Sequence, residues 1–212
     1  MTHGLPAKIA IVVTSPFIDG FKLILASQSA RRAALLTQAG FPFVVRPSEI
    51  PELRSPAESA FEYVSRLAEE KAAATSFDSG EGVLAADTTV VLMDCGTEFI
   101  LEKPAGSADA TAMIKALSGR QHSVLTAICF RWQDLQWLHV EETKVEFSEL
   151  SDAEISEYVA SGEPFDKAGS YGIQGLASRF IPRIEGCYFN VVGLPVHQVH
   201  RIFALAGVLA EV

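Results

Sequence analysis

The sequence predicts an α/β fold on a mixed sheet, and three observations point there. Short apolar runs alternate with segments whose apolar residues recur every three or four positions. Two of the runs turn tightly into a second run, the pattern of a hairpin, which makes the sheet mixed rather than purely parallel. With 49% hydrophobic and 20% charged residues among 212, the chain has the balance of an ordinary globular protein and the length to bury a core.

Residues 1–21 contain the apolar run 9-IAIVVT-14, too short for a membrane span, and the single Lys8 before it makes a poor signal peptide. The segment reads as an N-terminal extension that packs as an extra strand or stays loose, with the folded domain over 22–212. KLILAS, 22–27, is a short strand; Ser29 then caps a helix through Gln38, and Gly40 closes it. FVVRP, 43–47, is a second strand. Over 57–76, Ala57, Ala60, Phe61, Val64, Leu67, Ala68 and Ala72 fall at helical spacing. GVLAADTTVVLM, 82–93, is too apolar to be exposed on both faces, and DCGT turns it into the return strand EFILE. A helix over 107–117 takes Ser107 as its N-cap, and a long hairpin joins 122–132 to 137–150. The pattern 151-SDAE-154 is a capping box for a helix over 151–160 that ends at Gly162. A Gly-rich turn, a strand pair around Arg179 to Phe189, and a helix after Pro195 finish the chain.

The charge and cysteine content exclude several classes. A net charge of −9 argues against broad binding to nucleic acid or to an anionic membrane, both of which need a basic face. A phosphorylated small molecule is not excluded, because a few cations in a cleft can hold it. Cys95, Cys129 and Cys187 lie far apart with no C-x-x-C pair, so they read as reduced and mostly buried, which suits the cytoplasm. There is no Walker-type phosphate loop, no G-x-G-x-x-G after a strand and no H-E-x-x-H. His197 and His200 share a helix face but lack a third ligand, and His122 and His139 read as ordinary strand residues.

Polar residues inside apolar strands carry the functional argument. Asp87 interrupts 83-VLAADTTVVL-92, where a carboxylate is costly unless it is paired or bound to a metal. Glu102 and Lys103 follow the return strand in ILEKP, so the hairpin brings them toward one edge with Asp87. Arg31 and Arg32 open a helix directly after a strand, where free N–H groups and the helix dipole favour an anion. Lys71, read alone, is a solvated residue on a charged helix face. In 163-EPFDKAGSYGIQG-175, Glu163, Asp166 and Lys167 precede glycines that let backbone approach a ligand or shape a plain loop. Carboxylates, cations and Gly-rich turns in an α/β frame suggest metal-assisted chemistry on a phosphate ester or anhydride.

The ordered segments 26-ASQSARR-32, 66-RLAEEKA-72, 86-ADTTV-90, 101-LEKP-104, 117-LSGRQH-122, 162-GEPFDKAGSYGIQG-175 and 191-VVGLP-195 resemble the Maf family of nucleoside triphosphate pyrophosphatases, over roughly residues 22–205. The resemblance implies an inosine-triphosphatase-like fold, an elongated twisted mixed sheet flanked by helices with two lobes around a cleft. It also implies cleavage of the α–β phosphoanhydride with a divalent cation, Mg²⁺ or Mn²⁺. A homodimer is compatible with it.

By that resemblance, Ser27, Arg31 and Arg32 match the first phosphate-binding turn, Glu52 the acidic loop, Lys71 the helix lysine, Asp87 the strand aspartate, and Glu102 with Lys103 the hairpin pair. Glu52 and Asp87 are expected to hold the metal, with Asp87 also orienting or deprotonating the attacking water. Lys71 and Lys103, with the arginines, are expected to neutralise the triphosphate and the departing pyrophosphate. DKAGSYGIQG resembles the branch acting on dTTP and UTP, with Thr88 and Gln174 at its base-contacting positions. Two positions depart from the pattern: Ala30 stands for the proline of S-P-R-R, and Pro51 with Glu52 for an Asp-Glu pair. The rival readings are a pyrophosphatase for other or modified nucleotides, in a housecleaning role, and a nucleotide-binding regulator of septum formation acting through a protein partner. The second needs only the cations, whereas the chain carries the full acidic set as well.

Overall fold

The structure, a computed structural model, describes residues 15–55 and 57–210. Its frame is a seven-stranded mixed sheet of β1 (Lys22–Leu25), β2 (Phe43–Val45), β3 (Glu81–Asp94), β4 (Thr97–Leu101), β5 (Gln121–Trp132), β6 (Leu135–Glu146) and β7 (Arg183–Glu185). The order is β2-β1-β3-β5-β6-β7, with β4 beside β3. β1 lies parallel to β2 and β3, and every other pair is antiparallel. Around the sheet pack α1 (Ala30–Gln38), α2 (Ala60–Ala74), α3 (Ser107–Leu117), α4 (Asp152–Ala160), α5 (Tyr188–Val192) and α6 (Val196–Leu205). Short 3₁₀ helices cover Glu163–Asp166, Ala168–Ser170 and Leu176–Phe180. Among the described residues no helix is long and apolar enough to cross a membrane.

Local chemistry explains most boundaries. The Ser29 hydroxyl accepts from the Arg32 amide at the start of α1, and Ser59 and Ser151 each form a complete capping box with the glutamate three residues on. Gly40, at φ +76°, supplies the left-handed residue after α1 that a side chain would resist.

Alternation along β3 and β5 divides the core. On one face Leu84 and Ala86, with Ile128 and Phe130, join a cluster under α1 and α6. Farther along that face Val90, Leu92 and Val124 join a cluster under α3 and α4. The opposite face places Val83, Ala85, Val91, Ala127 and Cys129 against the Ala60, Val64, Ala68, Ala72 stripe of α2. Fully burying each such Leu or Val contributes roughly 1.5–3 kcal/mol, which holds α2 flat on the sheet. Phe17 and Phe21, just before β1, are buried in the first cluster.

One topological feature positions the site. β1 pairs with β3 only as far as Leu25 opposite Leu84, and β4 pairs with it only from Leu101 opposite Val90. Between those points one edge of β3 has no strand partner, so the sheet is notched where Asp87 and Thr88 lie.

Several expectations need correcting. The helix expected over 57–76 is shorter, because the capping box starts it at Ala60, and Phe61 points outward at 56% exposure. Ser107 is the first residue of α3 rather than its cap; Gly106 occupies the cap position without a side-chain hydrogen bond. The strand expected to 150 ends at Glu146. The strand pair around Arg179 to Phe189 is a 3₁₀ turn, the three-residue β7 and α5, because the chain returns to β6 for only three pairs. Of the cysteines only Cys129 is buried; Cys95 is exposed in the β3–β4 turn and Cys187 is half-buried. The run 9–14 lies outside the described residues.

Candidate active site

The notch in the sheet opens into a cleft of about 940 Å³. Its lining includes Ser27, Arg31, Arg32, Glu52, Lys71, Asp87, Thr88, Glu102, Lys103 and Gln174, all ten residues to which the family resemblance assigns a role. They arrive from separate elements: the β1–α1 turn, the first turn of α1, the loop before α2, α2, β3, the end of β4 and the Gly-rich loop.

Lys71 organises the floor. Its Nζ lies 2.6 Å from Asp87 Oδ1 and 2.6 Å from Glu52 Oε1, and its side chain is only 9% exposed. The reading of Lys71 as a solvated residue is therefore overturned. It follows Leu67 by one helical repeat and stands beside Ala72, so the period of α2 carries it onto the buried face. Burial pushes the Asp87 carboxyl above its ordinary value, the charges of Lys71 and Arg32 oppose this, and Glu52 adds to it. Burial also raises Glu52, but its hydrogen bond to Lys71 and the charges of Lys71, Lys103 and Arg32 outweigh that and hold it below its usual value. Two carboxylates on one ammonium are thus driven apart by their difference in burial, which suits one to take up a proton and the other to stay ionised.

The paired arginines do different things. Arg31 Nη1 sits 3.0 Å from Asp166 Oδ2 across the cleft mouth, in a pair that is 36% and 68% exposed. Arg32 donates from Nε to Gly193 O at 2.8 Å, from Nη1 to Ser27 Oγ at 3.1 Å and from Nη2 to Thr88 Oγ1 at 3.0 Å. Ser27 Oγ also accepts from the Ser29 amide, so its hydroxyl is engaged within the turn. The relay continues from Thr88 to Thr126 at 2.9 Å and from Thr126 Oγ1 to Asn190 O at 3.1 Å. Since Thr126 donates to the carbonyl, Thr88 must donate to Thr126 and accept from Arg32. The Thr88 hydroxyl is thereby engaged inside the protein.

On the hairpin side, Lys103 Nζ is 3.8 Å from Glu52 Oε2 and largely exposed. Tyr63 OH donates to Glu102 Oε1 at 2.9 Å and lies 3.3 Å from Glu52 O, so it links the acidic loop to the end of β4. On the far rim Gln174 is exposed in the cleft wall, with no hydrogen bond to another described residue. Sequence reasoning missed Tyr63, Thr126, Asn190 and the pairing role of Asp166. Tyr63 was findable, because Tyr63, Leu67 and Lys71 form one stripe at four-residue spacing; the partners of Arg32 carry no such signal.

A divalent cation fits this donor set. Glu52 and Asp87 offer hard oxygen ligands, and the buried hydroxyl of Thr89, which lines the same cleft, has no hydrogen-bond partner among the described residues. Among the described residues no group of three or more His, Cys, Asp or Glu side chains surrounds one point. A cation held here would need further oxygen ligands, which Mg²⁺ usually takes from water and phosphate.

Fold and site together define an α/β protein with an arginine- and lysine-lined cleft at a notch in a mixed sheet, floored by an acid–lysine cluster. The chain belongs to the family described as Maf-like protein, whose model matches residues 22–206. It is 46% identical over 191 residues to a dTTP/UTP pyrophosphatase of Koribacter versatilis, covering 90% of this chain and 97% of that one. It is 45% identical over 182 residues to a dTTP/UTP pyrophosphatase of Vibrio cholerae, covering 85% and 96%. Among solved structures, a HAM1 protein from Coxiella burnetii aligns with a TM-score of 0.44 at 15% identity, over 88% of this chain and 98% of that one.

Proposed function

We propose that the protein is a nucleoside triphosphate pyrophosphatase that hydrolyses dTTP and UTP to the monophosphate and pyrophosphate. The observation that carries this reading is Lys71 held between Glu52 and Asp87 at 2.6 Å each, on the floor of a cleft whose mouth presents Arg31 and Lys103. The names of the relatives supply the nucleotide class.

A water attacks the α-phosphorus; its oxygen forms the new P–O bond as the bond to the bridging oxygen breaks and pyrophosphate leaves. Asp87, whose carboxyl burial raises above its ordinary value, accepts the water's proton. Glu52 and Asp87 would hold a divalent cation, which when bound would neutralise charge at the phosphates. Lys71 shares its ammonium among the carboxylates and the reacting phosphate. Arg31 exchanges its exposed partner Asp166 for phosphate oxygens, a small loss because exposed ion pairs are worth about 0–1 kcal/mol. Lys103 follows the departing pyrophosphate. Arg32 keeps its contacts to Ser27, Thr88 and Gly193 and holds the phosphate turn against the floor. Glu102, held by Tyr63, lines the cleft as a substrate contact, and Gln174 offers a donor and an acceptor to a pyrimidine edge. The protein acts in the cytoplasm, as a monomer or a homodimer.

A nucleotide panel tests this directly: pyrophosphate release with Mg²⁺ or Mn²⁺ present, fastest for dTTP and UTP. Equal rates across all bases, or tight nucleotide binding without turnover, would replace this reading with the housecleaning or the regulatory one.

A further inference from the structure

The loop that carries Gln174 is held shut by a residue outside the cleft lining. Gly172 to Gly175 is a hydrogen-bonded turn, closed by the Gly175 amide on Gly172 O at 3.0 Å, with Ile173 and Gln174 at its corners. Ile173 packs against the core under α1 and α6, which leaves Gln174 directed along the cleft wall. Before the turn, Tyr171 is buried and its hydroxyl meets His122 Nε2 at 2.8 Å. After it, the 3₁₀ helix Leu176–Phe180 begins without a side-chain cap of its own. Glu163, thirteen residues back, supplies that cap: Oε2 accepts from the Leu176 amide at 2.7 Å and Oε1 from the Ala177 amide at 3.4 Å. Tyr158 OH donates to the same carboxylate at 3.0 Å, and Lys167 Nζ donates to the Glu163 carbonyl at 2.6 Å. A Cβ on Gly175 would fall inside the Glu163 carboxylate, so a side chain there would displace that carboxylate from the turn.

We propose that Glu163 is a positioning residue for base selection: by capping residues 176 and 177 it fixes the 172–175 turn and so the place of Gln174. This rests on the pyrimidine reading of the cleft. A carboxylate receiving two amides and a phenol is a stiff clamp, because each lost charge-assisted bond strands a donor. With the clamp released, the turn keeps its anchors at Tyr171 and Ile173 but not at its exit. Gln174 then samples several places, and the penalty it imposes on a mismatched base edge fades.

The experiment compares Glu163→Ala with Gly175→Ala, which leaves the glutamate in the chain but drives its carboxylate aside. Steady-state rates are measured for UTP, dTTP and CTP, with circular dichroism and Tm as folding controls. In both folded variants kcat/KM for UTP and dTTP should fall about tenfold, carried by KM, while CTP changes by no more than about twofold, because only base recognition is disturbed. Glu163→Gln, which keeps one carbonyl acceptor, should recover part of the UTP preference. A uniform loss across the three nucleotides, an unchanged UTP to CTP ratio, or failure of all three variants to fold would reduce Glu163 to fold maintenance and overturn the proposal. If instead the wild-type chain shows no preference for UTP and dTTP over CTP, the substrate reading itself has failed, and this inference falls with it.

Discussion

The floor of the cleft and its Gly-rich rim are built in opposite ways. On the floor, β3 pairs with β5 at every position from Gly82 to Val91, and Asp87 is locked opposite Ala127. The rim, residues 162–177, is a series of 3₁₀ turns tied by side chains: Glu163 to two amides, Lys167 to a carbonyl, Tyr171 to His122. A sheet position cannot shift without breaking its ladder, so a buried charge placed there keeps its surroundings and its perturbed affinity for protons. A loop held by a few clamps can be re-aimed by changing one of them. The difference teaches that reaction rate should reside in the floor and nucleotide choice in the rim.

The sharpest break in that comparison is Asp87→Asn, which keeps the shape and removes the charge. Hydrolysis of every nucleotide should fall about 10²-fold to 10⁴-fold while the fold survives. The wild-type pH profile supplies the companion measurement. Since burial raises the Asp87 carboxyl and it must be ionised to accept a proton, kcat/KM should climb with pH as it deprotonates, and the climb should be absent in the variant. Near-normal turnover in the variant would remove Asp87 from the chemistry.

Lys71→Ala and Arg31→Ala come next. Each should weaken triphosphate binding by about tenfold to a hundredfold, as expected for lost charge-assisted hydrogen bonds, and leave the unphosphorylated nucleoside nearly unaffected. Calorimetry with both ligands decides it: equal losses would make these residues structural. Lys71→Ala should also lower Tm, since it leaves Asp87 and Glu52 without their shared cation.

A smaller effect is expected on the rim. Gln174→Ala should lower dTTP and UTP hydrolysis about tenfold and narrow the gap to CTP, because a base edge loses its partner at roughly 1–3 kcal/mol per group. Gln174→Glu should do worse, replacing a donor with an acceptor. An unchanged UTP to CTP ratio would place specificity elsewhere and erase the division between floor and rim.

The smallest expected effect concerns how the rim is held. Burial lowers the His122 imidazole to about 4, below the 6.5 of the exposed group. The neutral ring is therefore favoured in the fold; its contribution is complete above pH 6.5 and is lost as pH falls toward about 4, where the unfolded chain takes the proton first. Thermal melts across that window should show the wild type losing stability relative to His122→Gln. Parallel Tm curves would mean that His122 titrates like an exposed residue.

Much of this was legible in the sequence. Asp87 stood out because a carboxylate inside an apolar strand has few cheap explanations, and the serine caps with their glutamates marked α2 and α4 directly. Even the burial of Lys71 was present in the α2 period, though its charge argued for solvent when taken alone. The short elements after residue 175 misled, because a three-residue strand and a five-residue helix have too few positions to display a period.

By itself, then, the sequence determined the local elements, the amphipathic faces and the inventory of charged groups, since all of these follow from spacing along a few turns or one strand. Only the tertiary structure decided that β1 stops pairing opposite Leu84 and that β4 begins pairing opposite Val90, leaving the notch at Asp87 and Thr88. It alone decided that Arg31 reaches Asp166 while its neighbour Arg32 reaches Gly193, 161 positions away. Such contacts are set by strand register and by where the chain returns, which are long-range outcomes of burying three apolar clusters at once, and no local spacing encodes them.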